Sequence, residues 1–179
     1  MIPLIAKDVC IRPIRLSDVT YAYLNWLRDP EVNRYLETRH RAQSLSSIAE
    51  FVESKITSEN EYLFAICLNS SGRHIGNIKV GPINEFHLTA DVSLFIGDKQ
   101  MWGKGYASQA IYLASKYAFE EKRVVKLKAG CYSPNIGSKK AFLKCGYAIE
   151  GELRSSANCE GHRVNDYIFG LVKGELKVP

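Results

Sequence analysis

Trp102-Gly103-Lys104-Gly105-Tyr106-Ala107 follows a strand-sized apolar run that ends at Ile96-Gly97 and precedes a helical pattern that reaches about Glu121. Two glycines one residue apart let backbone N–H groups crowd around an anion where a Cβ would collide, and the helix that follows turns its positive N-terminal end toward the same point. The stretch reads as a cradle for a pyrophosphate, with Gly103 and Gly105 as the enabling residues, or as a tight turn that simply starts a helix. A dinucleotide site of the Rossmann type wants a third glycine, and Ala107 stands in its place. A phosphate loop wants Gly-Lys-Ser/Thr, and here Gly103-Lys104 is followed by glycine.

Working outward, Leu88 to Ile96 is the strand that leads into this loop, and Ala107, Ala110, Ile111, Ala114 and Ala118 mark the buried face of the helix that leaves it. Upstream, Glu61 to Leu68 and His74 to Ile83 form a hairpin about the turn Asn69-Ser70-Ser71-Gly72. Further upstream, Val9 to Ile14 alternates as a first strand, and Ser17-Asp18 caps a helix through Leu27. Asp29-Pro30 opens a second helical turn, and Ser44 or Ser46 starts an amphipathic helix to about Thr57 with Ile48, Phe51, Val52 and Ile56 on one face. Downstream come a strand from Val124 to Cys131, a helix from Ile136 to Lys144, a strand from Tyr147 to Arg154 and, after a turn at Glu160-Gly161, a last strand from Arg163 to Val172. There is no internal repeat, linker or low-complexity segment.

The chain has 179 residues, 46% hydrophobic and 24% charged, which suits one compact domain over residues 1–179. Met1 to Ala6 is too short for a signal sequence or a membrane span, so a cytoplasmic protein is expected. Five cysteines without a Cys-x-x-Cys pair and four scattered histidines indicate neither disulfides nor a metal site. The net charge of +5 is dispersed, with no basic run, which points to an anionic small molecule rather than to nucleic acid.

With strand, glycine loop, helix, strand, Asn135-x-x-Ser138 and Lys144-Cys145-Gly146-Tyr147 in place, the chain resembles the GNAT superfamily of acetyl-CoA-dependent N-acetyltransferases along essentially its whole length. In that family Gln/Arg-x-x-Gly-x-Gly/Ala binds the coenzyme A pyrophosphate. Gly105 and Ala107 fit the pattern, while Trp102 stands at the Gln/Arg position, a variant of the branch that includes ribosomal-protein alanine acetyltransferases. The resemblance implies an α/β (α+β) fold: a mixed, mostly antiparallel central sheet of about seven strands, splayed at the cofactor site, with helices on both faces. It also implies acetyl-CoA as co-substrate, no metal, and a cofactor site made of Trp102, Gly103, Lys104, Gly105, Tyr106 and Ala107 around the pyrophosphate. Leu94, Phe95 and Ile96 offer free backbone groups to the pantetheine arm, Asn135 and Ser138 lie on its other side, and Lys140 or Lys139 reaches the 3′-phosphate.

Transfer from a thioester to an amine needs an unprotonated nitrogen, a hole for the developing oxyanion and a proton for the leaving thiolate. Asp91 lies where many family members carry a carboxylate base, acting directly or through water, unless it is a solvated strand residue paired with lysine; His87 is the other candidate. Many members place a tyrosine seven residues after the motif asparagine as general acid, and here that residue is Phe142. By analogy with serine-using members, Ser138 becomes the candidate acid, with water as the alternative. A covalent route through Cys145 or Cys131 is disfavoured, because the family transfers directly and neither cysteine has a histidine near it in sequence.

On the acceptor side, residues 29–36, 75–84 and 96–99 resemble GNAT members of bacterial surface-polysaccharide pathways, whose substrates are nucleotide-linked amino sugars. Arg34, Tyr35, Arg39, Asn84 and His87 would then serve hydroxyls and a diphosphate. The alternatives are an alanine- or serine-starting protein N-terminus, a module that binds acetyl-CoA without turnover, and a basic RNA-associated domain. The sequence leaves oligomeric state open.

Overall fold

The computed structural model describes residues 2–179. Eight strands form one sheet: β1 (Leu4–Ile5), β2 (Val9–Pro13), β3 (Tyr62–Leu68), β4 (His74–Asn84), β5 (Thr89–Ile96), β6 (Lys126–Tyr132), β7 (Ala148–Cys159) and β8 (His162–Val172), in the order β1-β2-β3-β4-β5-β6-β8-β7. All neighbours are antiparallel except β5 and β6. The parallel pair requires a crossover, and α4 (Tyr106–Glu120) supplies it. The first strand is the one the pattern did not reveal: two residues, paired with Cys10 and Ile11, are too few to show a period.

Alternation along the central strands sends side chains into two cores, one on each sheet face. On one face α4 and α5 (Ile136–Lys144) cover Ile11, Phe64, Ile66, Ile78, Val92, Leu127 and Phe169. Ala110, Ile111, Ala114 and Ala118 of α4 are fully buried there, and Ile111 alone contributes about 2 kcal/mol through its removal from water. On the other face α1 (Tyr21–Arg28) and α3 (Leu45–Ile56) cover Ile14, Leu63 and Phe95.

Three local expectations are corrected. Helix α1 starts at Tyr21 with Thr20 as its cap, because the Asp18 carboxylate is taken by Arg12 at 2.6 and 2.7 Å and by the Arg15 amide at 2.8 Å, which leaves residues 16–18 as a separate turn. Phe51 and Ile56 of α3 lie outside the core, at 42% and 50% exposed, and the Lys55 ammonium sits over the Phe51 ring. Strand β7 runs on to Cys159, through a register shift beyond Leu153 where Ser155 adopts φ 51°.

Candidate active site

The glycine loop is tied to the sheet at its β5 end. After β5, the buried Asp98 side chain accepts from the Gln100 amide at 3.1 Å and pairs with Arg73, and the indole of Trp102 donates to the Ile96 carbonyl at 2.7 Å. Gly103 and Gly105 then take φ 72° and 79°, left-handed values that cost other residues roughly 1–2 kcal/mol each. A Cβ at either position would meet no protein atom within 4 Å, so within the chain the requirement is conformational and the space above the loop is open.

That space faces the start of α4. Helices α1, α3, α5 and the short α2 (Pro30–Asn33) are capped by the side chains of Thr20, Ser44, Asn135 and Asp29. Helix α4, with 15 residues the longest, has Gly105 as N-cap and no capping side chain. Its first-turn N–H groups and positive dipole end are therefore available to an external anion.

Beyond the loop the sheet opens. Strands β5 and β6 pair only over Thr89–Asp91 with Lys126–Lys128, after which β5 stays with β4 and β6 stays with β8. The Leu88 carbonyl accepts from Val125 at 2.7 Å, so by alternation Ala90, Val92, Leu94 and Ile96 turn their peptide groups toward β6. The groups of Leu94 open into the gap. Those of Phe95 turn to β4, and the Ile96 carbonyl is occupied by Trp102. Of the three residues expected to bond pantetheine, Leu94 thus keeps both its groups free on that side and Ile96 its N–H.

The gap widens into a cavity of about 630 Å³. It brings together Leu94, Phe95, Ile96, Trp102, Gly103, Gly105, Tyr106, Ala107, Asn135, Ser138 and Lys140 with Arg34 and Tyr35. Asn135 caps α5 by accepting from the Ser138 amide at 3.2 Å, which leaves its NH₂ end for a ligand. Lys140 and Lys144 line the same wall, whereas Lys139 lies over the Tyr167 ring at 4.0 Å. Lys104 is exposed and outside the lining. Phe142 is 1% exposed, packed in the core on Tyr147 and Phe169. Burial pushes the Cys145 thiol up to about 12, and its sulfur bonds the Ser108 carbonyl at 3.1 Å. Burial also raises the Cys131 thiol, whose sulfur lies 4.0 Å from the Asn135 carbonyl. Neither cysteine is a poised nucleophile.

Asp91, His87 and Asn84 are not brought to the cavity. Asp91 is half-exposed beside Lys128 at 3.7 Å, on the part of β5 still paired with β6. The Asn84 side chain is spent inside its own turn, accepting from the Phe86 and His87 amides, and His87 is exposed there. Direct proton abstraction by Asp91 or His87 has no geometric support.

Glu31 is the carboxylate that does line the cavity. It stands in α2, whose cap Asp29 accepts from the Glu31 amide at 2.9 Å, and its own oxygen meets Lys99 at 3.0 Å. The available signal was spacing: Glu31, Arg34 and Tyr35 are three and four residues apart, one face of a helical turn. The arginines beside it are engaged. Arg34 pairs with Glu160 at 3.0 Å, while Arg39 donates to the Leu36 and Asn158 carbonyls and to the Tyr132 hydroxyl. Tyr132 also bonds Glu37 and meets the Tyr35 ring edge-on, and it lines a second, neighbouring hollow of about 300 Å³ together with Glu37, Asp166, Arg39 and His40.

Comparisons with known proteins agree with this geometry. A family model described as an acetyltransferase (GNAT) domain matches residues 8–148. The N-acetyltransferase p20 of Bacillus licheniformis is 23% identical over 96% of this chain and 97% of its own length. The spermidine N(1)-acetyltransferase of Escherichia coli K12 is 26% identical over 83% of this chain and 77% of its own. Among solved structures, spermidine N-acetyltransferase from Vibrio cholerae in complex with CoA and spermine superposes with a TM-score of 0.83 at 20% identity, covering 93% of this chain and 96% of that one. The left-handed glycine loop, the helix without a cap and the splayed strands are the parts such a domain needs, and the chain belongs to the GNAT acetyltransferase family, as an enzyme that transfers an acetyl group from acetyl-CoA to an amine nitrogen.

Proposed function

We propose that the acceptor is a small primary amine that carries further positive charge, a polyamine-like molecule. The observation that carries this is the set of carboxylates at the acceptor end: Glu31 lines the cavity in an exposed pair with Lys99, and Glu37 and Asp166 share the second hollow with Arg39 and His40, while Arg34 and Arg39 are committed to Glu160, Glu37 and carbonyls. A bare diphosphate would find no uncommitted arginine fork, whereas an ammonium group would take the place of Lys99 at Glu31, an exposed pair of about 1 kcal/mol or less. The spermidine acetyltransferases among the relatives support the same reading. The nucleotide-linked amino sugar is the second reading; it requires Arg34 to leave Glu160, a solvent-exposed pair of about 1 kcal/mol or less.

On the donor side, the residues present fit acetyl-CoA. The open first turn of α4 and the loop at Gly103 and Gly105 would hold the pyrophosphate, Lys140 and Lys144 the remaining phosphate charge, and Leu94 with Asn135 the amide arm. Glu31 would hold a distal ammonium group of the acceptor, and the low polarity of Val32, Leu36 and Phe95 favours loss of the proton from the reacting amine. The test is release of thiol from acetyl-CoA with spermidine, a nucleotide-linked 4-amino-4,6-dideoxy sugar and an alanine-starting peptide. The largest kcat/KM is expected for spermidine; a larger value for the sugar nucleotide or the peptide overturns the proposal.

A further inference from the structure

The reaction releases a thiol with an ordinary pKa near 8.5, and a proton delivered as the C–S bond breaks speeds that step. Phe142 cannot deliver it, since its ring is buried in the core and carries no proton to give. Cys145 is locked on the Ser108 carbonyl outside the cavity. The cavity itself holds two phenols, Tyr35 and Tyr106. Tyr106 opens α4 at the glycine loop, the anion end. Tyr35 is at the opposite end, in the chain that leaves α2.

We propose that Tyr35 is the general acid of acetyl transfer, a hydroxyl supplied from the acceptor side of the cavity in place of one on α5. Its oxygen lies 3.5 Å from the carbonyl of Pro134, the residue before Asn135, and so at the mouth of the gap between Leu94 and the start of α5. At that length the bond is at the outer limit of a hydrogen bond and releases the hydroxyl at little cost. The ring is steadied from the side by Tyr132, edge-on at 6.3 Å and 86°, with the Arg34 guanidinium 5.9 Å from its centre. Ser138, the other hydroxyl on this wall, stands in the first turn of α5, where its amide bonds the Asn135 side chain.

The step balances without another reactant. The amine nitrogen bonds the acetyl carbon as the carbon–sulfur bond breaks, the sulfur takes the Tyr35 hydroxyl proton, and the tyrosine regains a proton from the one the nitrogen sheds, through water. Amine and thioester become amide and thiol. The assignment does not depend on which amine is the acceptor.

The experiment compares the full chain with Tyr35→Phe and Ser138→Ala, using acetyl-CoA and whichever amine of the three-acceptor panel the parent turns over fastest, so a wrong acceptor changes the amine and not the outcome for Tyr35. Tyr35→Phe is expected to lower kcat about 100-fold, to change KM for acetyl-CoA by less than about three-fold, and to remove the alkaline limb of the kcat profile. A retained rise in melting temperature with acetyl-CoA shows that the variant is folded and binds. A kcat within about three-fold of the parent overturns the proposal, as does a loss confined to the acceptor KM with the alkaline limb intact, or transfer of that limb's loss to Ser138→Ala.

Discussion

The Trp102 indole donates to the Ile96 carbonyl at 2.7 Å, across the corner where the strand ends and the glycine loop begins. Tryptophan stands at the position where the family pattern has glutamine or arginine, and its ring nitrogen fastens the loop to the strand edge that flanks the cavity. Replacement by phenylalanine keeps an aromatic ring, though a smaller one, and removes the donor. Trp102→Phe is expected to raise KM for acetyl-CoA several-fold, the worth of about 1 kcal/mol of lost loop order, with kcat within about two-fold. A fall in kcat at constant KM would instead place Trp102 at the reacting atoms.

Gly105 holds φ 79° at the N-cap of α4. A branched side chain there meets both the left-handed penalty of roughly 1–2 kcal/mol and the need of a phosphate to approach the first-turn amides. In Gly105→Val the rise in melting temperature caused by acetyl-CoA should vanish while the free protein loses only a few degrees. Normal binding by this variant would remove the loop from the cofactor site.

Two carboxylates separate in their expected effects. Glu31→Gln should lower kcat/KM for a cationic amine about ten-fold or more, through the acceptor term, because Glu31 lines the cavity. Asp91→Asn should change it by less than about three-fold, because Asp91 lies beside Lys128 outside the lining. Steady-state rates over a range of acceptor concentrations check both, and a reversed order would restore Asp91 as the base, acting through water.

Burial holds the His74 imidazole below its ordinary 6.5, against the opposing pull of a hydrogen bond to Asn77 and the nearby Asp18 carboxylate; Arg12 adds to the lowering, and the Tyr23 and Trp26 rings enclose it. In the unfolded chain the ring takes up a proton as pH falls through about 6.5, while in the folded chain it stays neutral to lower pH. The unfolded state then binds more protons, so stability is full above that pH and declines below it. Melting temperatures from pH 8 to 5 should fall along this course, and His74→Gln, which can still bond Asn77, should flatten it. An unchanged slope would assign the loss to other groups.

Much of the molecule was written in short-range pattern. Apolar runs bounded by Asn69-Ser70-Ser71-Gly72 and Glu160-Gly161 gave strand positions, since alternation and turn chemistry act over a few residues. Where a distant partner intervened the pattern misled: Asp18 has the chemistry of a helix cap, but Arg12 claims its carboxylate and Thr20 caps α1 instead.

The glycine loop, the Asn135-x-x-Ser138 motif and the missing tyrosine at Phe142 are properties of neighbouring residues, and the linear chain was enough to locate them; that Asn135 caps α5 and that α4 lacks a capping side chain came from the fold. Which side chains share the cavity was not. Glu31 and Tyr35 come from α2 and the turn after it, Leu94 from β5 and Asn135 from α5, and they meet because β5 and β6 part after Asp91, while the same parting leaves Asp91, Asn84 and His87 on the closed side. Nor could sequence show that Arg34 and Arg39 are already engaged: Glu160 lies 126 residues from Arg34, and the Asn158 carbonyl 119 from Arg39. Backbone conformation and capping are settled by energies that act within one turn of chain, whereas the composition of a pocket and the pairing of its charges depend on strand register and divergence, which only the folded sheet imposes.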